Sequence, residues 1–455
     1  MKKIASILKN KEIMNRILFT ILILFVFRIG AQITVPGVVI EENSELSNFL
    51  NGNNPLSLMN LMGGGTLQSF SIFALGVSPY ITAQIIVQLL ATDVLPALTE
   101  LKRQGQYGRK KMEMATRYLT LMLGAVQAYG IVKTMQNSSY ISFNTSSVEW
   151  LTYLYVIIVL LAGSMLVMWL GDQISVKGIG NGISMIIFAG IVSSLPSQMV
   201  TAFQIYCGPT VMAQGDVQAI TGVFQFALYV LAYLAIIAFV TFTELAKRKI
   251  PVQHSGKGGQ TPSMAKASFL PIKINSAGVI PVIFASSILM TPSIIVAFID
   301  ADAANADWLG IFNMSQLYKM PGNWYMPWGL IIYLVFTLAF TFFYANLQIN
   351  PTEMAENFQK NGSYIPGIRP GNETERYVRK VLNRVTCIGA LALVFIAALP
   401  PVLTMSGIFG ENGQSLALGG TGLIIVVGVA LELNSQIDGL LAGKSFDEVV
   451  AGGGQ

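Results

Sequence analysis

Charge is scarce in this chain. Only 11% of its 455 residues are Asp, Glu, Lys or Arg, against roughly 25% in an ordinary soluble protein. Hydrophobic residues make up 53%, and the mean hydropathy is +0.59. So few charges cannot cover a soluble surface. That excludes a soluble enzyme, a disordered chain and a nucleic-acid-binding domain, despite a net charge of +5. Cysteine is nearly absent too. Cys207 and Cys387 stand far apart in sequence, which excludes a secreted disulfide scaffold. Metal or catalytic use would need neighbouring partners that neither has, so both read as structural. The single histidine, His254, lies in a polar loop and reads as solvated. There is no Gly-x-x-x-x-Gly-Lys-Ser/Thr phosphate loop, Gly256-Lys257-Gly258 being a fragment of a glycine-rich loop. Neither a His-Glu-x-x-His motif nor a paired-cysteine metal site occurs. No cofactor is expected. A primary pump would need a nucleotide site, so any energy must come from a partner or a gradient.

What the chain has in abundance is apolar runs of membrane length. A bilayer core about 30 Å thick takes roughly 20 apolar residues per helix. Ten stretches meet that need: about 17–37, 71–92, 118–135, 150–171, 183–206, 217–242, 276–298, 326–346, 385–404 and 415–436. The first reads as a retained span, since no small-residue cleavage site follows it and Glu41, Glu42 and Glu45 do. Basic residues collect on the cytoplasmic side of membrane proteins. With both termini placed there, 25 of the 28 Lys and Arg residues fall in segments facing that side; Lys133 and Lys319 lie opposite, and Arg28 lies within span one. The reading is an all-α membrane protein of ten transmembrane helices with both ends cytoplasmic. Its largest loops, about 30 residues each, are too short for separate domains and project as cytoplasmic fingers. Division after span five yields two five-helix halves of opposite orientation, as in an inverted repeat, although the halves share no evident sequence similarity.

The span interiors are nearly free of charge. Ion-coupled carriers keep ionisable groups at mid-membrane. Here only Arg28 and Glu432 come close, each near the end of its span, where snorkelling or a structural ion pair is the plainer account. That scarcity favours a passive pore over a carrier. On the outer side, residues 51–70 form an unusual segment between spans one and two. Leu56, Leu58, Met59, Leu61 and Met62 make an apolar patch too short to cross a bilayer, and Gly63-Gly64-Gly65 follows as a flexible joint. An interfacial helix at the outer headgroups is the plain reading; a short helix folded inward as a stopper is the sharper one.

In span two, Val77, Ile81 and Ile85 recur at helical spacing, as do Ile179, Ile183 and Ile187 around the start of span five. Stripes of this kind serve lipid contact or packing, so periodicity alone names no pore ring. Thr82, Gln84 and Gln88 say more. Polar side chains in a membrane helix need interhelical partners or water, which turns span two toward the bundle interior. Gly178-Ile179-Gly180-Asn181-Gly182-Ile183-Ser184 opens span five as a tight turn with close packing, not a phosphate cradle. The loops after spans six and eight join basic residues to turn chemistry, in Glu244-Leu245-Ala246-Lys247-Arg248-Lys249 and Gly367-Ile368-Arg369-Pro370-Gly371. Positive-inside placement accounts for the charges, yet loops of this length are often functional.

Four strings taken together resemble the SecY family, the central subunits of bacterial protein-conducting channels. They are Phe73-Ala74-Leu75-Gly76-Val77-Ser78-Pro79-Tyr80-Ile81, the Gly178–Ser184 string, Ala277-Gly278-Val279-Ile280-Pro281-Val282-Ile283-Phe284-Ala285-Ser286-Ser287, and Ile365-Pro366-Gly367-Ile368-Arg369-Pro370-Gly371. The resemblance runs from span one to span ten in the family's order and spacing. It implies a clamshell of two pseudo-symmetric five-helix halves around an hourglass pore that opens sideways to lipid between spans two and seven. The implied division is an N-terminal half over 1–182 with a plug at about 55–66, and span five (183–206) closing it. The C-terminal half follows over 207–436 with cytoplasmic loops at about 243–275 and 347–384, then a cytoplasmic tail over 437–455.

Carried over residue by residue, the resemblance implies a constriction lined by Val77, Ile81, Ile183, Ile187, Ile283 and Ile425, with Val77 where the family often has isoleucine. It implies a plug built on Leu56, Leu58, Met59, Leu61, Met62 and the three glycines, and a lateral gate at Thr82, Gln84, Gln88, Ser286 and Ser287. Arg248, Lys249 and Arg369 would dock the ribosome or the SecA motor, while the loop tip near Gly256–Gly259 lacks the paired arginines of many relatives. The implied function is not enzymatic: unfolded secretory polypeptides cross the bacterial cytoplasmic membrane, and transmembrane segments leave sideways into the bilayer. Implied partners are SecE-like and SecG-like small membrane subunits, the SecA ATPase, ribosomes, signal peptides and nascent chains. Two other readings stay open. A ten-span carrier for a small solute would need a buried charge or polar pocket at mid-membrane, and a lipid-scrambling or insertase scaffold would need a polar groove.

Overall fold

The computed structural model describes residues 10–40, 55–92, 95–137, 139–143, 149–208, 216–254, 268–299, 307–312, 318–320, 324–405 and 417–452. In chain order its helices are α1 (Lys11–Gly30), α2 (Pro55–Gly63), α3 (Ser78–Leu90), α4 (Pro96–Arg103), α5 (Gln106–Asn137), α6 (Glu149–Lys177) and α7 (Gly182–Cys207). They continue with α8 (Asp216–Leu245), α9 (Ile280–Ile299), α10 (Trp328–Gln348), α11 (Pro351–Lys360), α12 (Asn372–Met405) and α13 (Ala417–Gly452). All ten expected spans fall on helices: α1, α3, α5 to α10, α12 and α13. Among the described residues α1, α6, α7, α8, α10, α12 and α13 are long and apolar enough to cross a bilayer outright.

Four spans differ from their hydropathy windows for local reasons. α1 starts earlier and stops at Gly30, because the residues after it pair with residues 70–72 through Val35 N–H to the Phe70 carbonyl (3.0 Å) and Ile72 N–H to the Ile33 carbonyl (2.9 Å). The apolar run from Ser71 is not helical until Ser78, where Pro79 sits in the first turn and fixes a helical φ. α5 and α12, at 32 and 34 residues, are longer than a bilayer core needs, and their polar first turns extend beyond it.

The two halves touch along two seams. On one side α7 packs against α8 and α13; on the other α3 and α5 pack against α9. The short helix α2 lies between the halves, in contact with α7, α9 and α13. Large apolar side chains such as Leu18, Leu22 and Phe25 on α1, and Leu231, Leu234 and Phe242 on α8, are exposed. A soluble protein could not carry so wide an apolar surface, whereas lipid covers it. The chain is a multi-pass membrane protein.

Outside the membrane, β1 (Val38–Ile40) pairs antiparallel with β2 (Ile141–Phe143). Elsewhere β3 (Lys247–His254), β4 (Ser268–Lys273) and β5 (Ser363–Tyr364) form one antiparallel sheet in the order β4-β3-β5. Ile250 and Ile272 from the sheet, Ile365, and Val378 and Leu382 from α12 make its core. The loops after spans six and eight, expected as separate fingers, therefore close into a single body seated on α12.

Candidate functional site

The centre of the bundle is a continuous apolar cluster. Val77 and Ile81 from the start of α3, Ile187 from α7, Ile283 from α9 and Ile425 from α13 are all buried in it, with Ile183 half-buried at its edge. They come from four helices far apart in the chain, and all share the cluster with Leu61 and Met62 of α2. A gap of about 20 Å³ lies among Met59, Met62, Val77, Ile81 and Ser287, room for about one water. A cavity of about 1220 Å³ opens beside α3, α9 and α13, which also supply collar residues. Its walls include Gln88, Thr92, Gln106, Asn181, Gln348 and Asn350, with Arg109, Glu353, Glu356 and Glu432 the charges among them. A wide cavity with many polar side chains thus borders helices that also build a closed aliphatic cluster, and α2 packs on that cluster.

α2 is short and apolar because it has no membrane to span. Met59, Leu61 and Met62 are buried and Leu56 partly so, while the side chain of Leu58 lies outside the described residues. The glycine triplet ends it as a formed cap. Gly65 N–H donates to the Asn60 carbonyl (2.9 Å) and Gly64 N–H to the Leu61 carbonyl (3.1 Å), the paired bonds of a Schellman ending. Both glycines have positive φ, +73° and +88°, which L side chains rarely adopt. A methyl on Gly64 would stand 2.8 Å from the Cα of Gly190, so α2 and α7 meet backbone to backbone. The charge in span one ends here too. Arg28 Nη1 donates to the Gly64 carbonyl at 2.7 Å, a backbone partner rather than the carboxylate expected of an ion pair.

α3 and α9 form the seam on one flank, and Thr82, Ser286 and Ser287 do not bridge it. Thr82 donates to the Ser78 carbonyl (3.2 Å), and Ser286 and Ser287 both donate to the Ile283 carbonyl (2.8 and 2.9 Å). Their hydroxyls are spent on their own helices, not on interhelical partners. Gln88 lines the cavity, and Gln84 is half-buried. The Gly178–Ser184 string behaves as a packing device. Ile179 N–H donates to Thr20 Oγ1 (3.1 Å) on α1, Asn181 caps α7 by accepting from Ile183 N–H (3.2 Å), and a methyl on Gly182 would overlap the Gly171 carbonyl of α6.

Arg248 and Lys249 are exposed on β3, and Arg369 is exposed at the turn that leads into α12. The backbone of Arg369 is fixed from α12: Thr374 Oγ1 donates to its carbonyl (2.9 Å), and its N–H donates to Glu373 (3.4 Å). The tip near Gly256–Gly259 lies outside the described residues. One element escaped the sequence reading. Glu244, quoted there as the start of a loop, is buried at the end of α8, and its Oε1 accepts from Asn275 Nδ2 at 2.7 Å. The same amide donates to the Gly278 carbonyl (3.0 Å), so the root of the three-stranded sheet is tied to the start of α9. The only sequence signal was a carboxylate against an apolar span with an asparagine near the next one.

A family model described as SecY matches residues 71–434. The chain belongs to the SecY family. Among curated SecY-family proteins it is similar to the protein translocase subunit SecY of Lactococcus lactis subsp. lactis (strain IL1403), 42% identical over 98% of this chain and 97% of that one. It is equally similar to the protein translocase subunit SecY of Bacillus subtilis (strain 168), 42% identical over 98% of each. The SecY-family fold is also met in a solved structure described as a protein conducting channel, with a TM-score of 0.61 at 18% identity over 94% of this chain and 92% of that one. Sec61 in the canine ribosome–channel complex gives a TM-score of 0.60 at 18% identity over the same shares. The architecture of ten helices in two five-helix halves is thus the SecY-type clamshell, and the family is one of channel subunits, not of enzymes.

Proposed function

We propose that this chain is the pore subunit of a protein translocase, passing unfolded polypeptides across the membrane and releasing apolar segments into lipid. The observation that carries the reading is the closed aliphatic collar, built from both halves, with the short helix α2 packed on it and a wide cavity beside its helices. A narrow apolar throat dewets, so it blocks ions without a charged filter. Aliphatic side chains present no fixed hydrogen-bond pattern, so a passing peptide of any sequence is tolerated, and they shift rotamer to close around it. Val77, Ile81, Ile183, Ile187, Ile283 and Ile425 form the ring in this reading, and α2 is the plug.

The seam between α3 and α9 is the lateral gate in this proposal. Thr82, Ser286 and Ser287 leave it without cross-bonds, so it can part at little cost. Each Leu, Ile, Phe or Val that slips from the pore into lipid gains about 0.3–0.6 kcal/mol, and a dozen gain about 4–7 kcal/mol. A polar segment gains nothing there and continues through. Sorting is then a partition equilibrium. A carrier would need a charged, solute-shaped pocket at the collar, and the collar is filled by aliphatic side chains.

The sheet that unites the two long cytoplasmic loops presents Arg248 and Lys249, with Arg369 beside its root on α12, a basic platform suited to a ribosome or a SecA-type motor. We place both termini in the cytoplasm of a bacterial cell and divide the chain after span five, in keeping with the segregation of basic residues. SecE-like and SecG-like subunits would cover part of the exposed apolar surface. The ring is tested by conductance. Ile81→Ser and Ile187→Ser should each wet the collar and raise the resting ion current of the reconstituted complex in planar bilayers. Currents at the level of the unaltered channel would remove these residues from the constriction.

A further inference from the structure

We propose that Arg28 is the latch that keeps α2 seated, a positioning residue of the gate set in span one. The inference rests on the reading of α2 as the plug. Arg28 stands in an otherwise apolar turn beside Phe25, Val26, Phe27 and Ile29, where a cation is retained only if a polar partner compensates it. Its partner is a single peptide group. The carbonyl of the Gly64–Gly65 peptide accepts from Arg28 Nη1 at 2.7 Å, while the N–H of the same peptide donates to Asn60 inside the cap of α2. The cap makes that peptide travel with α2. The bond to Arg28 therefore joins the moving helix to a helix that stays.

What lies beyond the cap is bolted to span one. Ser69 Oγ donates to the Ala31 carbonyl (3.2 Å), residues 70 and 72 pair with residues 35 and 33, and the Phe27 and Phe73 rings stack at 5.7 Å. The pivot thus falls between Gly65 and this anchored stretch, and Arg28 sits on the fixed side of it. The guanidinium also faces the C-terminal end of α2, where the helix dipole is negative and favours a cation. Unseating α2 breaks a charge-assisted hydrogen bond and removes the dipole from the charge, so the two act together to return the helix after a chain has passed.

The test uses the whole complex in planar bilayers without substrate, in the intact chain and in one lacking residues 55–62. R28M, which keeps the length but loses charge and donors, should raise the resting conductance of the intact channel about tenfold. R28K, still charged and able to reach one carbonyl, should raise it less, and R28Q serves as the uncharged variant if R28M does not assemble. In the shortened chain the same substitutions should add nothing to a conductance already raised by the deletion. A wild-type current for both uncharged variants, beside a raised current for the deletion, would overturn the latch and leave the plug standing. No change on deletion would overturn the plug reading itself. An equal rise in both backgrounds would show that Arg28 acts on the pore and not through α2, and would also overturn the latch.

Discussion

Gly190→Ala adds one methyl group where α7 passes the end of the short helix α2. Its Cβ would stand 3.1 Å from the Gly64 nitrogen and 3.2 Å from the Gly63 carbonyl carbon, and closer still to the Met62 carbonyl oxygen. All three are backbone atoms, so no side chain can swing aside and the corner itself must retreat. Overpacking of this kind costs about 1–3 kcal/mol. Alanine's better helix propensity, about 1 kcal/mol over glycine, acts the other way. It stabilises α7 equally with α2 in or out, however, and cancels from the gating equilibrium. The overlap term alone remains, a shift of about 5–150-fold toward the unseated helix. Resting conductance of the purified complex in planar bilayers, without substrate, should rise by about that factor until full opening sets a ceiling. Gly439→Ala, whose added methyl meets nothing within 4 Å, should stay at baseline. A Gly190→Ala channel that remains sealed, with its melting temperature intact, would refute the account of how α2 is seated.

Two further predictions address the three-stranded sheet and its surroundings. Arg369→Glu should abolish partner-driven export in reconstituted vesicles while the complex elutes and melts like the unaltered one, since the side chain is exposed and only its backbone is bonded to α12; normal export would remove Arg369 from the docking surface. Asn275→Ala should destabilise the complex by about 1.5–3 kcal/mol, the worth of a hydrogen bond to a charged group. Combined with Glu244→Ala it should cost less than the sum of the two single changes, and additive losses would mean that the 2.7 Å bond contributes nothing.

Hydropathy placed the helices well, because each span must be apolar along its whole length. It placed their ends less well. The stretch from Ser71 to Val77 is as apolar as a span, yet Phe73, Leu75 and Val77 are buried in irregular backbone, and hydropathy cannot tell the two apart. The collar was half legible for a similar reason. Val77, Ile81 and Ile85 form a helical stripe that turns out to be buried, while Leu18, Leu22 and Phe25 form an equivalent stripe that is exposed. In a membrane both environments are apolar, so spacing alone does not separate lipid contact from core. The family strings resolved what periodicity left open.

Other features carried no sequence signal at all. β3 pairs with β5 across the whole of spans seven and eight, and neither strand has an alternating pattern long enough to announce itself. The charge of Arg28 was visible, but its partner is a backbone carbonyl, which every residue possesses. The glycine triplet was legible as a special backbone site. That it forms a closed cap packed on Gly190 depends on a contact between segments far apart in the chain.

The most direct test of the polypeptide path is crosslinking from single cysteines in the collar to a secretory chain stalled midway through the reconstituted channel. Cysteines replacing Ile81, Ile187 and Ile283, from three different helices, should all capture the chain, and cysteines at the exposed positions Phe25 and Leu231 should not. Capture from the lipid-facing positions with none from the three collar positions would place the path elsewhere and contradict the account.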